Sequence, residues 1–209
     1  MSVGRGALVG AFVVIGLVAG GARAETQVVL PRPGQVGISI GGGFGTLLES
    51  GSVGSVFGAG PALTVRVRYR MRYERGLGLS FESQKLDTRV EPGVFILGDE
   101  STVAPTGLSL ITSGFEFYQM FDTRSRTTKM LMLGAGIAQL RADLNSGEKE
   151  LSGEFSGDGL YVSAGAGLER FFFRSWAWDL SARYFAVFHE GRANHDVQAA
   201  LGVIFYASY

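Results

Sequence analysis

The chain has 209 residues, 19 of them basic and 19 acidic, with no cysteine and 46% hydrophobic side chains. That balance, without a basic stripe or an acidic block, argues against nucleic acid or another polyanion as partner. The absence of cysteine excludes a disulfide framework and Cys-based zinc sites, and the length suits one domain.

The N-terminus reads as an export signal over residues 1–24. Arg5 precedes an apolar run from Ala7 to Ala19, and Ala22-Arg23-Ala24 supplies a small-x-small cleavage site. A spanning anchor would need about 20 apolar residues; this run is shorter and is loosened by Gly16, Gly20 and Gly21. No Cys follows it, which excludes a lipid-modified N-terminus. The mature chain is expected to begin at Glu25 and to hold 185 residues, 17 basic and 19 acidic, for a net charge of −2. Residues 25–34 read as a short lead and 35–209 as the folded domain.

Beyond the signal, no segment keeps a 3.6-residue apolar period with caps, whereas alternation with period two recurs. Eight strands are predicted, over about 35–45, 62–70, 76–86, 107–119, 129–141, 159–170, 176–188 and 197–209. In the second, Leu63, Val65, Val67 and Tyr69 alternate with Thr64, Arg66, Arg68 and Arg70. The third sets Leu77, Leu79 and Phe81 against Gly78, Ser80, Glu82 and Gln84, and the seventh sets Trp178, Leu180, Ala182 and Tyr184 against Asp179, Ser181 and Arg183. The last sets Ala199, Leu201, Val203, Phe205, Ala207 and Tyr209 against a second face and ends on an aromatic. All five prolines (Pro31, Pro33, Pro61, Pro92 and Pro105) lie outside the predicted strands, as a residue without an amide donor should.

The connections sort by length. They are long after the first, third and fifth strands (45–61, 87–106, 142–158), short after the second, fourth and sixth (71–75, 120–128, 171–175), and intermediate over 189–196. Short turns at one end and long loops at the other are the pattern of a membrane barrel, with both termini at the short-turn, periplasmic end. A soluble lipocalin-like barrel has the same period with its apolar face inside. The terminal aromatic strand, a polar face with several charges and the absence of cysteine favour the membrane barrel. There the three arginines on one strand face must line the lumen, because at mid-depth each would cost about 2–4 kcal/mol against lipid. Aromatics near the short turns (Tyr69, Tyr73, Tyr118, Phe121, Phe171 to Phe173, Trp176, Trp178 and Tyr209) read as an interfacial girdle. The fold class is therefore an all-β, eight-stranded antiparallel transmembrane barrel of up-and-down topology, preceded by a signal peptide and addressed to the bacterial outer membrane by the general secretory route.

Four stretches carry a family resemblance: Leu133-Gly134-Ala135-Gly136, Ala164-Gly165-Ala166-Gly167-Leu168-Glu169, Asp179-Leu180-Ser181-Ala182-Arg183-Tyr184 and Leu201-Gly202-Val203-Ile204-Phe205-Tyr206. In their order and spacing, across the whole mature chain, they resemble the small outer-membrane β-barrel family of the eight-stranded OmpA/OmpX type. The resemblance implies a closing C-terminal strand, with Gly202, Val203, Phe205 and Tyr209, that is recognised by the barrel-assembly machinery. The chain ends on Tyr where the family more often ends on Phe.

The candidate site is the set of interior charges: Arg66, Arg68, Arg70, Glu82, Glu116, Glu169, Asp179 and Arg183. Turns about Tyr73 and Arg174 would place Glu82 opposite Thr64 and diagonal to Arg66, within reach of its side chain, and Glu169 opposite Asp179. The charges are either a mutually neutralising plug or a narrow gated ion path with Arg66, Glu82 and Arg183 at its constriction. An eight-stranded barrel is only just wide enough for side chains to fill, which favours the plug. His189, His195 and Asp196 could be imagined as a metal site in the last loop, but their spacing matches no preorganised face, and neither metal nor cofactor is expected. A lipid-modifying enzyme would need a Ser beside one of those histidines, and none is singled out, so no catalytic residue is assigned. The glycine runs 41–45, 134–136 and 165–167 open no helix and carry no phosphate-binding context. Partners expected are outer-membrane lipid and, through the loop at 88–105 with Val94-Phe95-Ile96-Leu97, an extracellular partner. The first loop, with Leu47, Leu48, Val53, Val56 and Phe57, either presents a surface or folds over the barrel mouth.

Overall fold

The computed structural model describes residues 32–48, 56–89, 94–97, 100–103, 107–143, 156–173, 175–189 and 191–207. The expected signal over 1–24, most of the lead and Tyr209 lie outside them. Ten strands are present: β1 (Val36–Leu47), β2 (Ala59–Arg70), β3 (Arg75–Asp87), β4 (Val94–Leu97), β5 (Glu100–Val103), β6 (Gly107–Phe121), β7 (Thr127–Asp143), β8 (Gly157–Phe171), β9 (Trp176–His189) and β10 (Arg192–Ala207). Eight of them close an all-antiparallel barrel, each paired with its chain neighbour and β10 returning to β1. The short β4 and β5 form a separate hairpin inside the second long connection.

Closure depends on β10. It pairs with β1 from Val36↔Ala207 to Leu47↔Asp196, so no sheet edge is left open to lipid. The seam is thin where Gly41 faces Gly202; a Cβ on Gly202 would stand 2.9 Å from the Gly41 Cα. Gly37 has a different use, because a Cβ there would meet the Tyr206 ring at 2.7 Å.

Burial is inverted relative to a soluble protein. Arg68 and Arg70 head the largest fully buried side chains, whereas Phe115, Leu160 and Ile40 are 74%, 65% and 60% exposed. A continuous apolar exterior around charged interior residues is stable only where the surrounding solvent is hydrocarbon. Inside, three tiers stack from the long-loop end to the short-turn end. The outer tier is apolar and includes Leu47, Leu86, Leu108, Leu140, Phe185 and Val187. The central tier is ionic. The inner tier is apolar again, with Tyr118, Met120, Met130 and Met132 on one side and Phe171, Ala177, Ile204 and Tyr206 on the other.

The strands overrun their expected bounds, and several expectations need correction. Pro61 lies inside β2, opposite Phe44 near the strand's outer end, and not in the connection before it. Tyr118 and Phe171 are buried inside the barrel and do not join the girdle; Tyr69, Tyr73, Phe121, Phe172, Phe173, Trp176 and Trp178 do face outward. Tyr118 shares parity with Glu116, and Phe171 with Glu169, so each turns inward with its neighbour. The last connection shrinks to residues 190–191, since His189 pairs with Arg192. His189 and His195 therefore lie on strands. Finally, Leu47, expected in the first loop, is the inward end of β1. Val56 and Phe57 are buried against the outer tier, Phe57 bridges to Thr88, and the Arg89 guanidinium donates to the Leu47 carbonyl at 2.8 Å.

Candidate functional site

Period-two alternation brings the predicted charges together. Arg66, Arg68 and Arg70 point inward from β2, Glu82 from β3, Glu116 from β6, Glu169 from β8, and Asp179 and Arg183 from β9, all at most 3% exposed. The register sets Thr64 opposite Glu82 and Glu169 opposite Asp179.

These eight residues form two locally neutral groups. In the group nearer the short turns, Arg68 donates to Glu169 at 2.6 Å and to Asp179 at 3.3 Å, and Arg70 donates to Glu169 at 2.9 Å. The Tyr206 hydroxyl donates to Glu169 at 2.7 Å, and Ser39 donates to Asp179 at 3.1 Å. In the outer group, Arg183 donates to both Glu82 and Glu116, and Tyr118 donates to Glu116. Arg66 donates to Glu82 at 3.3 Å and, across the lumen, to Ser181 at 3.1 Å. Its other tie, 3.8 Å to Asp179, joins the two groups.

Two guanidiniums against two carboxylates in each group give every ion a counter-ion, the first condition for keeping charge from water. Ser39, Ser181, Tyr118 and Tyr206 add hydrogen bonds, while the four arginine Nε atoms, Arg70 Nη1 and Asp179 Oδ1 have no partner among the described residues. Aromatic faces add to this. The Arg68 guanidinium lies 4.5 Å from the Tyr118 ring centre, Arg70 5.1 Å from Tyr206, and Arg183 4.8 Å from Phe185. Above the ions, Gln84 donates to Asp196 at 3.4 Å beside a void of about 10 Å³ lined by Glu82, Thr112 and Gln198 among others. That is about the space of one water molecule.

The contributions of Tyr118, Tyr206, Ser39 and Ser181 are absent from the sequence reading, although Tyr118 and Ser181 share strand and parity with Glu116 and Asp179. The strands β1 and β10 carry none of the eight charges, so Ser39 and Tyr206 had no such signal. The imagined metal trio does not converge. His189 and Asp196 face inward, whereas His195 faces outward, stacked on Tyr184 with ring centres 5.7 Å apart and hydrogen-bonded to its hydroxyl. No group of metal-ligating side chains occurs among the described residues. Of the closing-strand residues, Gly202, Val203 and Phe205 lie in the β1–β10 seam. In the loop at 88–105, the described residues include the backbone pairing of β4 with β5.

No protein-family model and no curated protein matches the sequence. Solved structures do match the fold. Neisserial surface protein A superposes with a TM-score of 0.57 at 14% identity, covering 81% of this chain and 96% of that one. The outer membrane protein OprG from Pseudomonas aeruginosa superposes at 0.54 and 14% identity, covering 85% and 99%. The fold is that of the small eight-stranded outer-membrane β-barrels.

Proposed function

We propose that the protein is an integral outer-membrane barrel with a closed core, acting as a structural and surface-interaction element of the envelope. One observation carries the reading: four guanidiniums and four carboxylates neutralise one another across the lumen, between two apolar tiers. An eight-stranded barrel filled in this way leaves no continuous water path. The barrel then serves as a rigid anchor. Its outer connections, above all the one that carries the β4–β5 hairpin, are the parts that meet a partner outside the cell.

The test is electrical. Reconstituted in planar bilayers, the folded protein should show no discrete current steps, and Glu82→Gln should not create them. Steps in the parent that change size or selectivity in Glu82→Gln would replace this reading with a narrow gated channel. Shortening the loop at 88–105 should abolish surface binding while leaving the heat-modifiable barrel intact.

A further inference from the structure

The short-turn rim is strongly basic. Arg72, Arg75, Arg124, Arg126, Lys129 and Arg170 are exposed there against only Glu74 and Asp122 among the described acids. The long connections have the opposite sign: residues 144–156 contain Glu148, Glu150 and Glu154 against Lys149. Lys129 and Arg170 differ from the other rim cations because they stand on the barrel wall. Lys129 pairs across strands with Leu168, and Arg170, two residues on, pairs with Thr127 and Trp178. Diagonal neighbours of this kind are within reach of one another's long side chains.

A groove of about 560 Å³ opens on the lipid face beside Lys129. Leu131, Leu168 and Leu180 wall it, and Ala166, Ala182 and Ala199 make its floor. The register explains its course, since Leu131, Ala166, Ala182 and Ala199 are successive cross-strand partners from β7 to β10. One end is thus cationic and lies at the headgroup level marked by Phe121, Trp176 and Trp178, while the rest is apolar and lies at hydrocarbon depth.

We infer that this groove with its Lys129–Arg170 rim is a site for an anionic glycerophospholipid of the periplasmic leaflet, with the phosphate on the two cations and an acyl chain along the alanine floor. Asp122 holds Lys129 at 2.9 Å, so the lipid phosphate competes with that carboxylate for one of its two cations. Lys129 lines the groove, and Arg170, diagonal to it just outside the lining, makes no ion pair with another described residue and is the second contact. The inference rests on the membrane-barrel reading, and its test separates the two.

Trp176 and Trp178 are the only tryptophans, and both face lipid beside Arg170. Their quenching by brominated lipids therefore reads the site directly. The protein extracted from membranes is reconstituted into phosphatidylcholine vesicles containing either dibrominated phosphatidylglycerol or dibrominated phosphatidylcholine. The anionic lipid should show about a fivefold higher relative association, the equivalent of one basic side chain near an anionic surface. Arg170→Gln with Lys129→Gln should bring the ratio to one. Ala182→Phe, which fills the floor, should lower it with the charges intact, and Asp122→Asn should raise it. Equal quenching by the two lipids in the parent overturns the site. So does a preference that Ala182→Phe leaves unchanged, because the anions would then meet the rim without a seated chain. Shielding from both lipids together with cross-linked dimers would assign the groove to a second copy. A chain that gives no heat-modifiable species in lipid overturns the barrel reading itself.

Discussion

Glu169 and Asp179 face each other directly across β8 and β9, two buried carboxylates in one cross-strand pair. Arg68, reaching across the lumen from β2, holds both: one guanidinium nitrogen is 2.6 Å from Glu169 and the other 3.3 Å from Asp179. Alone, that pair of like charges would be repulsive. With Arg68 between them it becomes a bridge joining three strands.

Arg68→Met should destabilise the barrel by about 3–5 kcal/mol, because it leaves charge in the core without its counter-ion. Equilibrium urea unfolding in vesicles measures this. Adding Glu169→Gln should cost less than the sum of the two single changes, with a coupling of about 0.5–3 kcal/mol. Strict additivity would mean that the bridge carries no energy.

Tyr206→Phe removes only the hydroxyl that donates to Glu169. A hydrogen bond to a charged group contributes about 1.5–3 kcal/mol, and unfolding should show a loss of that order. The ring stays seated over Gly37, so the gel mobility of the folded form should not change.

Because the chain has no cysteine, single-Cys variants report access without background. Ser181→Cys, inside the ionic tier, should resist a charged maleimide in the folded protein, whereas Arg124→Cys on a short turn should react at once. Rapid labelling at position 181 would reveal a water path through the core.

Gly191 closes the last hairpin with φ at +73°. Gly191→Val should destabilise by about 1–2 kcal/mol, the cost of the left-handed region for a residue with a Cβ, and Gly191→Asn should be milder. Zn²⁺ should not shift the unfolding midpoint, because His189 and His195 point to opposite sides of the wall.

The candidate site was legible in composition and in its hairpin pairings, Glu82 beside Arg66 and Glu169 opposite Asp179, but not in the contacts that cross the lumen. Parity along each strand places Arg66, Glu82, Glu169 and Asp179 on one face, and no reading of a single strand says which arginine reaches which carboxylate. That depends on side chains crossing the lumen, from β2 to β8 and β9 or from β9 to β3 and β6, and only closure sets those distances. Tyr118 and Phe171 lie inside although they are near turns, because a strand's parity, shared with Glu116 and Glu169, decides orientation over nearness to its end.

By itself the sequence determined the class, eight alternating strands with short and long connections in turn, and the inversion of charge and apolar surface. Those are local properties, decided residue by residue through the two-sided geometry of a strand. The tertiary structure alone decided that the ions divide into two neutral groups and that apolar tiers close above and below them. It also decided that the last loop is a two-residue turn. These are consequences of register and closure, which join residues more than a hundred positions apart and so leave no short-range mark on the chain.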